Sequence, residues 1–232
     1  MMTDAHTHIL AKGDASVALL CLSAARLRGL SDNPSQALQL LATELGVAQP
    51  DRCLLGSGLH PFDVGEAPEK DWLEALLALP ELRFVGEIGL HRPSSHPWAR
   101  QMEWLDIQLS AAQQLHKPVV LHCVHAAAEI LACRRKYPSI PAWMIHGFRG
   151  KPQQARQWTA QGFYLSFGPR FNSESLKACP PDRLLLETDA ETPGRMPEIS
   201  AVYQQAAAVL SVPLPELERQ VADNVRAFTG LA

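Results

Sequence analysis

The 232-residue chain is poor in charge: only 19% of its residues are Asp, Glu, Lys or Arg, against roughly 25% in average soluble proteins. With 47% hydrophobic residues beside that figure, a solvated, disordered chain is excluded. No run approaches about 18 apolar residues without a charge or a breaker, so no membrane-spanning helix and no membrane partner are expected. The start MMTDAHTHIL lacks the basic segment and apolar stretch of a signal peptide, and the expected location is cytoplasmic. Neither sign of charge dominates: 21 Lys+Arg against 24 Asp+Glu leave a formal charge of -3. That removes the strongly basic domain that marks the simplest nucleic-acid binders, although a local basic patch is compatible with it. Cysteine is sparse, odd in number and scattered, at Cys21, Cys53, Cys123, Cys133 and Cys179. Without a Cys-x-x-Cys pair there is no sign of a zinc ribbon or redox motif, and reduced, buried thiols are expected. Repeats, low-complexity tracts and linkers are also missing. A chain of this length can bury one sizeable core, so a single domain over 1–232, in a monomer, is the expectation.

What is present is a rhythm. Short apolar runs with branched residues fall at Thr3–Leu10, Ser16–Leu22, Cys53–Leu59, Arg83–Leu90, Pro118–His122, Ala142–His146, Gly162–Phe167 and Arg183–Asp189, and read as strands. Helical spacing occupies Pro34–Leu45, Glu69–Leu79, Pro97–Leu115, Ala126–Tyr137, Pro152–Gln161, Met196–Leu210 and Pro215–Phe228, several with proline in the first turn. Eight strands alternating with helices predict an α/β fold, a (β/α)8 TIM-type barrel. The stretch from Ala11 to Ala15 leaves no room for a helix between the first two strands, so the barrel is expected to be distorted there.

Six side chains of metal-ligating type stand at or beside the carboxyl ends of five of these strands: His6, His8, Glu87, His122, His146 and Asp189. In a parallel barrel those ends share one face, where residues distant in sequence build catalytic sites. His6 and His8 are two apart, so on a strand both point the same way, as a shared cation requires. Glu87 and Asp189 each follow an apolar run, where an ionised carboxylate is costly unless a cation or hydrogen bonds compensate it. The structural alternative for these groups is a set of buried salt bridges. Mixed nitrogen and oxygen donors favour Zn, then Mn, over Mg, and six donors suffice for two divalent ions with a carboxylate between them.

The motifs Asp4-Ala-His-Thr-His8, Gly58-Leu-His-Pro61, Val85-Gly-Glu-Ile-Gly89, Pro118-Val-Val-Leu-His122, His146-Gly-Phe-Arg-Gly150, Glu187-Thr-Asp-Ala190 and Asn224-Val-Arg-Ala-Phe228 occur in this order along the whole chain. Together they resemble the TatD family of metal-dependent hydrolases, amidohydrolase-like barrels that include deoxyribonucleases. The resemblance implies that His6, His8, Glu87 and Asp189 hold one ion and that Glu87, His122 and His146 hold the second. It further implies that Asp189 accepts the proton of the attacking water and that His60 acts at the centre without being a ligand. Where the family usually reads Gly-Leu-Asp this chain reads Gly89-Leu90-His91, and for His-Cys-Arg-Asp it reads His122-Cys123-Val124-His125. His91 and His125 are thus expected near the centre as substrate-side residues. The run from Ala190 to Pro193 leads almost directly into a helix where the family has a longer substrate loop.

Arg149 and Arg170 follow strand ends and are the phosphate-binding candidates, with Arg92 a further cation for a DNA backbone. Trp98, Trp104, Trp143 and Trp158 are expected to pack rather than to stack bases, and His96 and His116 to be solvated or packed. Lys12 and Asp14 flank Gly13 in a turn beside the first metal strand. The function expected is metal-dependent phosphoester hydrolysis, on DNA ends, short oligonucleotides or small phosphoesters, with weak grip on long duplex. Amidohydrolase-like C-N or C-O hydrolysis and a degenerate metal-binding scaffold are the alternatives, since fold alone does not choose the chemistry.

Overall fold

The computed structural model describes residues 2–10, 15–47, 53–192 and 198–231. Eight strands form one sheet in the order of the chain, β1 (Met2–Thr7), β2 (Ala15–Ser23), β3 (Cys53–Gly58), β4 (Leu82–His91), β5 (Val119–Val124), β6 (Trp143–Ile145), β7 (Phe163–Phe167) and β8 (Leu184–Leu186). The pairings β1–β2, β3–β4, β4–β5, β6–β7 and β7–β8 are parallel. Parallel strands in sequence order, alternating with helices, are the topology of the expected TIM-type barrel. Residues 8–10, after β1, form no helix, and 11–14, with Lys12 and Asp14, lie outside the described residues.

The chain divides into two compact units, one of Met1–Leu20, Gln49–Leu54 and Ala142–Ala232, the other of Cys21–Ala48 and Leu55–Pro141. In the first, the apolar runs of β6, β7 and β8 are buried on both faces, as strands covered by crossover helices must be. The helices α6 (Pro152–Ala160), α7 (Ser173–Ala178), α8 (Ile199–Leu210) and α9 (Leu214–Thr229) belong to this unit. The terminal motif has a structural role here: the Asn224 amide of α9 donates to the carbonyls of Pro181 and Leu184 at 2.7 Å each, fixing the entry to β8. Phe228 is fully buried, edge-on to Tyr164. Trp143 and Trp158 pack against Phe163, as expected of core aromatics.

The second unit carries α1 (Ala24–Leu30), α2 (Pro34–Glu44), α3 (Lys70–Leu77), α4 (Trp98–Gln114) and α5 (Ala127–Lys136) around β4 and β5. Glycine lets these strands approach. A Cβ on Gly89, whose φ is +148°, would lie 2.0 Å from the His122 carbonyl oxygen, and one on Gly58 would lie 2.8 Å from that of Glu87.

Several sequence expectations need correction. Helices α1 and α7 were not among those expected. Both are short, which weakens any periodic signal, yet each has a polar N-cap: the Ser23 hydroxyl accepts from Arg26 N–H, and the Asn172 amide oxygen from Glu174 and Ser175 N–H. The last-but-one helix begins at Ile199, with 196–197 outside the described residues. The first strand ends at Thr7 rather than Leu10, where the Thr7 hydroxyl turns back to donate to the Ile9 carbonyl at 2.8 Å. The eighth ends at Leu186 rather than Asp189, and Asp189 has a left-handed φ of 54° that no strand continues through. Four of the five free cysteines are buried as expected, but Cys123 is half-buried.

Candidate metal and active site

In the first unit, four of the expected side chains come together. His6 lies in β1 and is fully buried, and His8 stands one residue beyond the strand. Their rings meet edge to face at 4.9 Å, the same-side pairing that the His-x-His spacing requires. Asp189 is brought to them by backbone: its N–H donates to the His6 carbonyl at 3.0 Å, and His8 N–H donates to the Ala190 carbonyl at 2.9 Å. The Asp189 carboxylate Oδ1 then lies 3.6 Å from Nε2 of His6 and 3.8 Å from Nε2 of His8. His146, directly after β6, has its ring centroid 4.2 Å from that of His6, the planes tilted by 35°. His6, His146 and Asp189 each offer a ligand atom, all within 4.8 Å of one another. Zn-type ions sit about 2.0–2.2 Å from such donors, so donors 3.6–3.8 Å apart are spaced to share one. The chemistry and the spacing of this set therefore fit a divalent ion. The side chains of His8 and Asp189 each remain 28% exposed, which leaves the carboxylate open to water and substrate.

Two residues missed at the sequence level hold this group. Asp4 is buried and its carboxylate accepts from Thr188 N–H at 2.9 Å and from the Thr188 hydroxyl at 2.6 Å, tying β1 to the residue before Asp189. Burial pushes Asp4 up to about 7 in spite of those bonds. Glu187, fully buried, accepts from Gly147 N–H at 2.6 Å and lies 3.6 Å from Nδ1 of His146. Burial alone would raise its carboxyl, but the nearby His146 imidazole, together with His6, outweighs burial and holds it below the usual carboxylate range. Both residues sit inside the motifs already noted, and a carboxylate within an apolar run was the available signal.

In the second unit the expected residues form another group. Glu87, buried in β4, has Oε1 at 2.9 Å from Nδ1 of His122 in β5 and at 3.2 Å from Nε2 of His60, two residues beyond β3. These three also form a set able to hold a metal ion. Their proton pattern follows from the partners. Phe62 N–H donates to Nδ1 of His60 at 3.1 Å, so the proton of that imidazole resides on Nε2 and points at Glu87. In that arrangement His60 donates to the Glu87 carboxylate. His91, the last residue of β4, lies with Nδ1 2.8 Å from Nε2 of His122. Burial, then repulsion from His60 and His125, holds the His91 imidazole below its usual pKa.

Backbone clamps set these side chains. On α4, Gln101 and Gln108 are buried two turns apart on one face. Gln108 accepts from Leu59 N–H at 2.6 Å and donates to the Leu59 carbonyl at 3.2 Å; Gln101 accepts from His91 N–H at 2.9 Å and donates to its carbonyl at 3.3 Å.

The substrate-side candidates fare differently. Arg149 and Arg170 are exposed, and so is His125, which has a left-handed φ of 53°. Arg92 is not available to a phosphate backbone in the way expected. Its guanidinium donates to Glu129 at 2.5 Å and to the His125 carbonyl at 2.9 Å, and lies 4.0 Å over the Trp98 ring. The turn after Asp189 runs into 193–197, outside the described residues.

An all-parallel barrel that brings histidines and carboxylates to its strand ends belongs to the class of metal-centred α/β barrels. More narrowly, the chain belongs to the TatD related DNase family, which it matches over residues 3–230. It is 36% identical over 162 residues to the "3'-5' ssDNA/RNA exonuclease TatD" of Edwardsiella piscicida, a stretch covering 64% of this chain and 62% of that protein. The match to that relative thus spans less than two thirds of its length. A second relative of the same name, from Cronobacter sakazakii, is 32% identical over 217 residues, 87% of this chain and 81% of its own. Among solved structures, YJJV, a TatD homolog from Escherichia coli K12, superposes with a TM-score of 0.81 at 20% identity, over 100% of this chain and 98% of its own. That likeness establishes the fold. Among the described residues, no helix is long and apolar enough to cross a membrane.

Proposed function

We propose that residues 1–232 act as one TatD-like domain that hydrolyses phosphoesters with two divalent metal ions, Zn favoured over Mn or Mg, on short single-stranded nucleic acid or small phosphoesters. The observation that carries this reading is the gathering of imidazole nitrogens and carboxylate oxygens at metal-sharing distances at strand ends, His6, His8, His146 and Asp189 in one unit and Glu87 and His122 in the other. These six are the ligands we assign. The relatives named as single-strand exonucleases support the substrate class. Five free cysteines support a reducing, cytoplasmic setting.

The chemistry supplied by bound divalent ions is Lewis acidity, which makes water a nucleophile near neutral pH and offsets phosphoryl charge. The chain's own residues then have separate tasks. Asp189, part-exposed and anchored through its N–H to His6, is placed to accept the proton that leaves water. His60 keeps Nε2–H on Glu87, orienting that carboxylate and lowering its charge density. His91 Nδ1, 2.8 Å from Nε2 of His122, fixes the orientation of the His122 ring. Arg149, Arg170 and His125, exposed beyond strand ends, bind substrate phosphate.

The test is a substrate screen on protein reconstituted with Zn, Mn or Mg, across thymidylate oligomers, bis-p-nitrophenyl phosphate, amides and lactones. Phosphoester turnover is expected, falling about 100-fold or more in Asp189→Asn, in the range of a lost acid-base group. Turnover of amides or lactones alone would replace the reading by an amidohydrolase, and an inert protein with stoichiometric metal by a scaffold.

A further inference from the structure

Phe62 is 49% exposed and belongs, with Leu30 and Leu40, to the exposed large hydrophobic side chains among the described residues. A lone exposed apolar side chain is ordinary on a protein surface, and Leu30 and Leu40 lie on helices α1 and α2. Phe62 differs in its surroundings. Its ring centroid lies 4.7 Å from those of both His60 and His91 and 5.9 Å from that of His122; His60 and His122 contact Glu87, and His91 contacts His122. Its backbone is pinned as well: Phe62 N–H donates to the His60 ring, Asp63 N–H donates to the His60 carbonyl at 2.8 Å, and the Asp63 carboxylate accepts from the Ser23 hydroxyl at 3.0 Å. Pro61 stiffens the same turn. The flat apolar ring is thus braced in place beside the catalytic carboxylate with half of its surface open.

We infer that Phe62 is a stacking platform for the nucleobase next to the scissile phosphate, and so a specificity residue for unpaired nucleotides. This rests on the phosphoester reading above and narrows its substrate class. An aromatic face stacks on any base with little sequence preference, but only where the base is free of a duplex. A side chain already held in position loses little freedom on binding. The platform matters more because cationic grip is limited here, with a net charge of -3 and Arg92 engaged by Glu129 and Trp98.

The experiment measures anisotropy of a fluorescent heptathymidylate with phosphorothioate linkages, and of a fully abasic strand of the same length, on the metal-loaded protein. The wild type is expected to bind the base-bearing strand about 10-fold more tightly, within the range that base–aromatic stacking supplies. Phe62→Ala and Phe62→Leu should reduce that ratio below about 2-fold, and Phe62→Trp should retain it. If Phe62→Ala fails to fold, the Leu and Trp variants, which keep an apolar side chain in the turn, decide the matter. A wild-type ratio near one, or a ratio untouched in folded Phe62→Leu, would overturn the platform. Hydrolysis of phosphoesters in parallel assays separates the two claims: turnover without a base preference sinks Phe62 alone, whereas a base preference without turnover sinks the phosphoester reading.

Discussion

At the scale of single residues, the site depends on carboxylates whose neighbours decide what they do. Asp189 is part-exposed, while Asp4 is buried and bonded by Thr188. The Thr188 hydroxyl is the closest donor to Asp4, at 2.6 Å, and Thr188 precedes Asp189 in the chain. Thr188→Val keeps shape and removes that donor. The expected result in denaturant unfolding is a loss of about 1–3 kcal/mol, the usual cost of stripping a partner from a buried polar group. A change smaller than about 0.5 kcal/mol, the size of an ordinary surface substitution, would show that the backbone N–H of Thr188 suffices for Asp4.

Residue identities were the most legible level. His6, His8, Glu87, His122, His146 and Asp189 stand out in the sequence because a charged or imidazole side chain at the end of an apolar run has few structural uses. Asp4 and Glu187 do not stand out although they sit in the same motifs, since nothing in spacing separates a ligand from the group that braces it. Arg92 shows the converse limit: its position beyond a strand end is readable, but its capture by Glu129 and Trp98 comes from α4 and α5, brought there by folding.

Secondary-structure elements set the positions of these side chains. The sequence rhythm located all eight strands and seven of the helices, because strand burial and helical spacing leave different periods. It misplaced strand ends at Thr7 and Leu186 and passed over α1 and α7, whose caps are visible only once a short helix is suspected. Helix α4 illustrates how an element positions a site. Its two buried glutamines, seven residues apart, read as polar breaks in an apolar stripe, whereas in the fold they clamp the backbones that present His60 and His91. Gln108→Met fills the same space and leaves both backbone groups of Leu59 without that partner. A loss of about 3 kcal/mol in chemical denaturation is expected, from two buried groups at about 1–3 kcal/mol each. A variant as stable as the wild type would mean that Leu59 finds other partners and that α4 does not set the position of His60.

For the molecule as a whole, family membership over residues 3–230 and a net charge of -3 are compatible with the metal-dependent hydrolysis proposed above. The central claim is that the histidines and carboxylates at the strand ends are metal ligands. Elemental analysis of the purified protein, with metal-dependent turnover followed before and after chelation, tests it most directly. Roughly two divalent ions per chain are expected, as in two-metal hydrolases, with a fall to about one or fewer in Glu87→Gln and turnover that disappears on chelation and returns when metal is restored. Protein without stoichiometric metal that still turns over phosphoesters, or a Glu87→Gln variant that retains the full complement of ions, would contradict it.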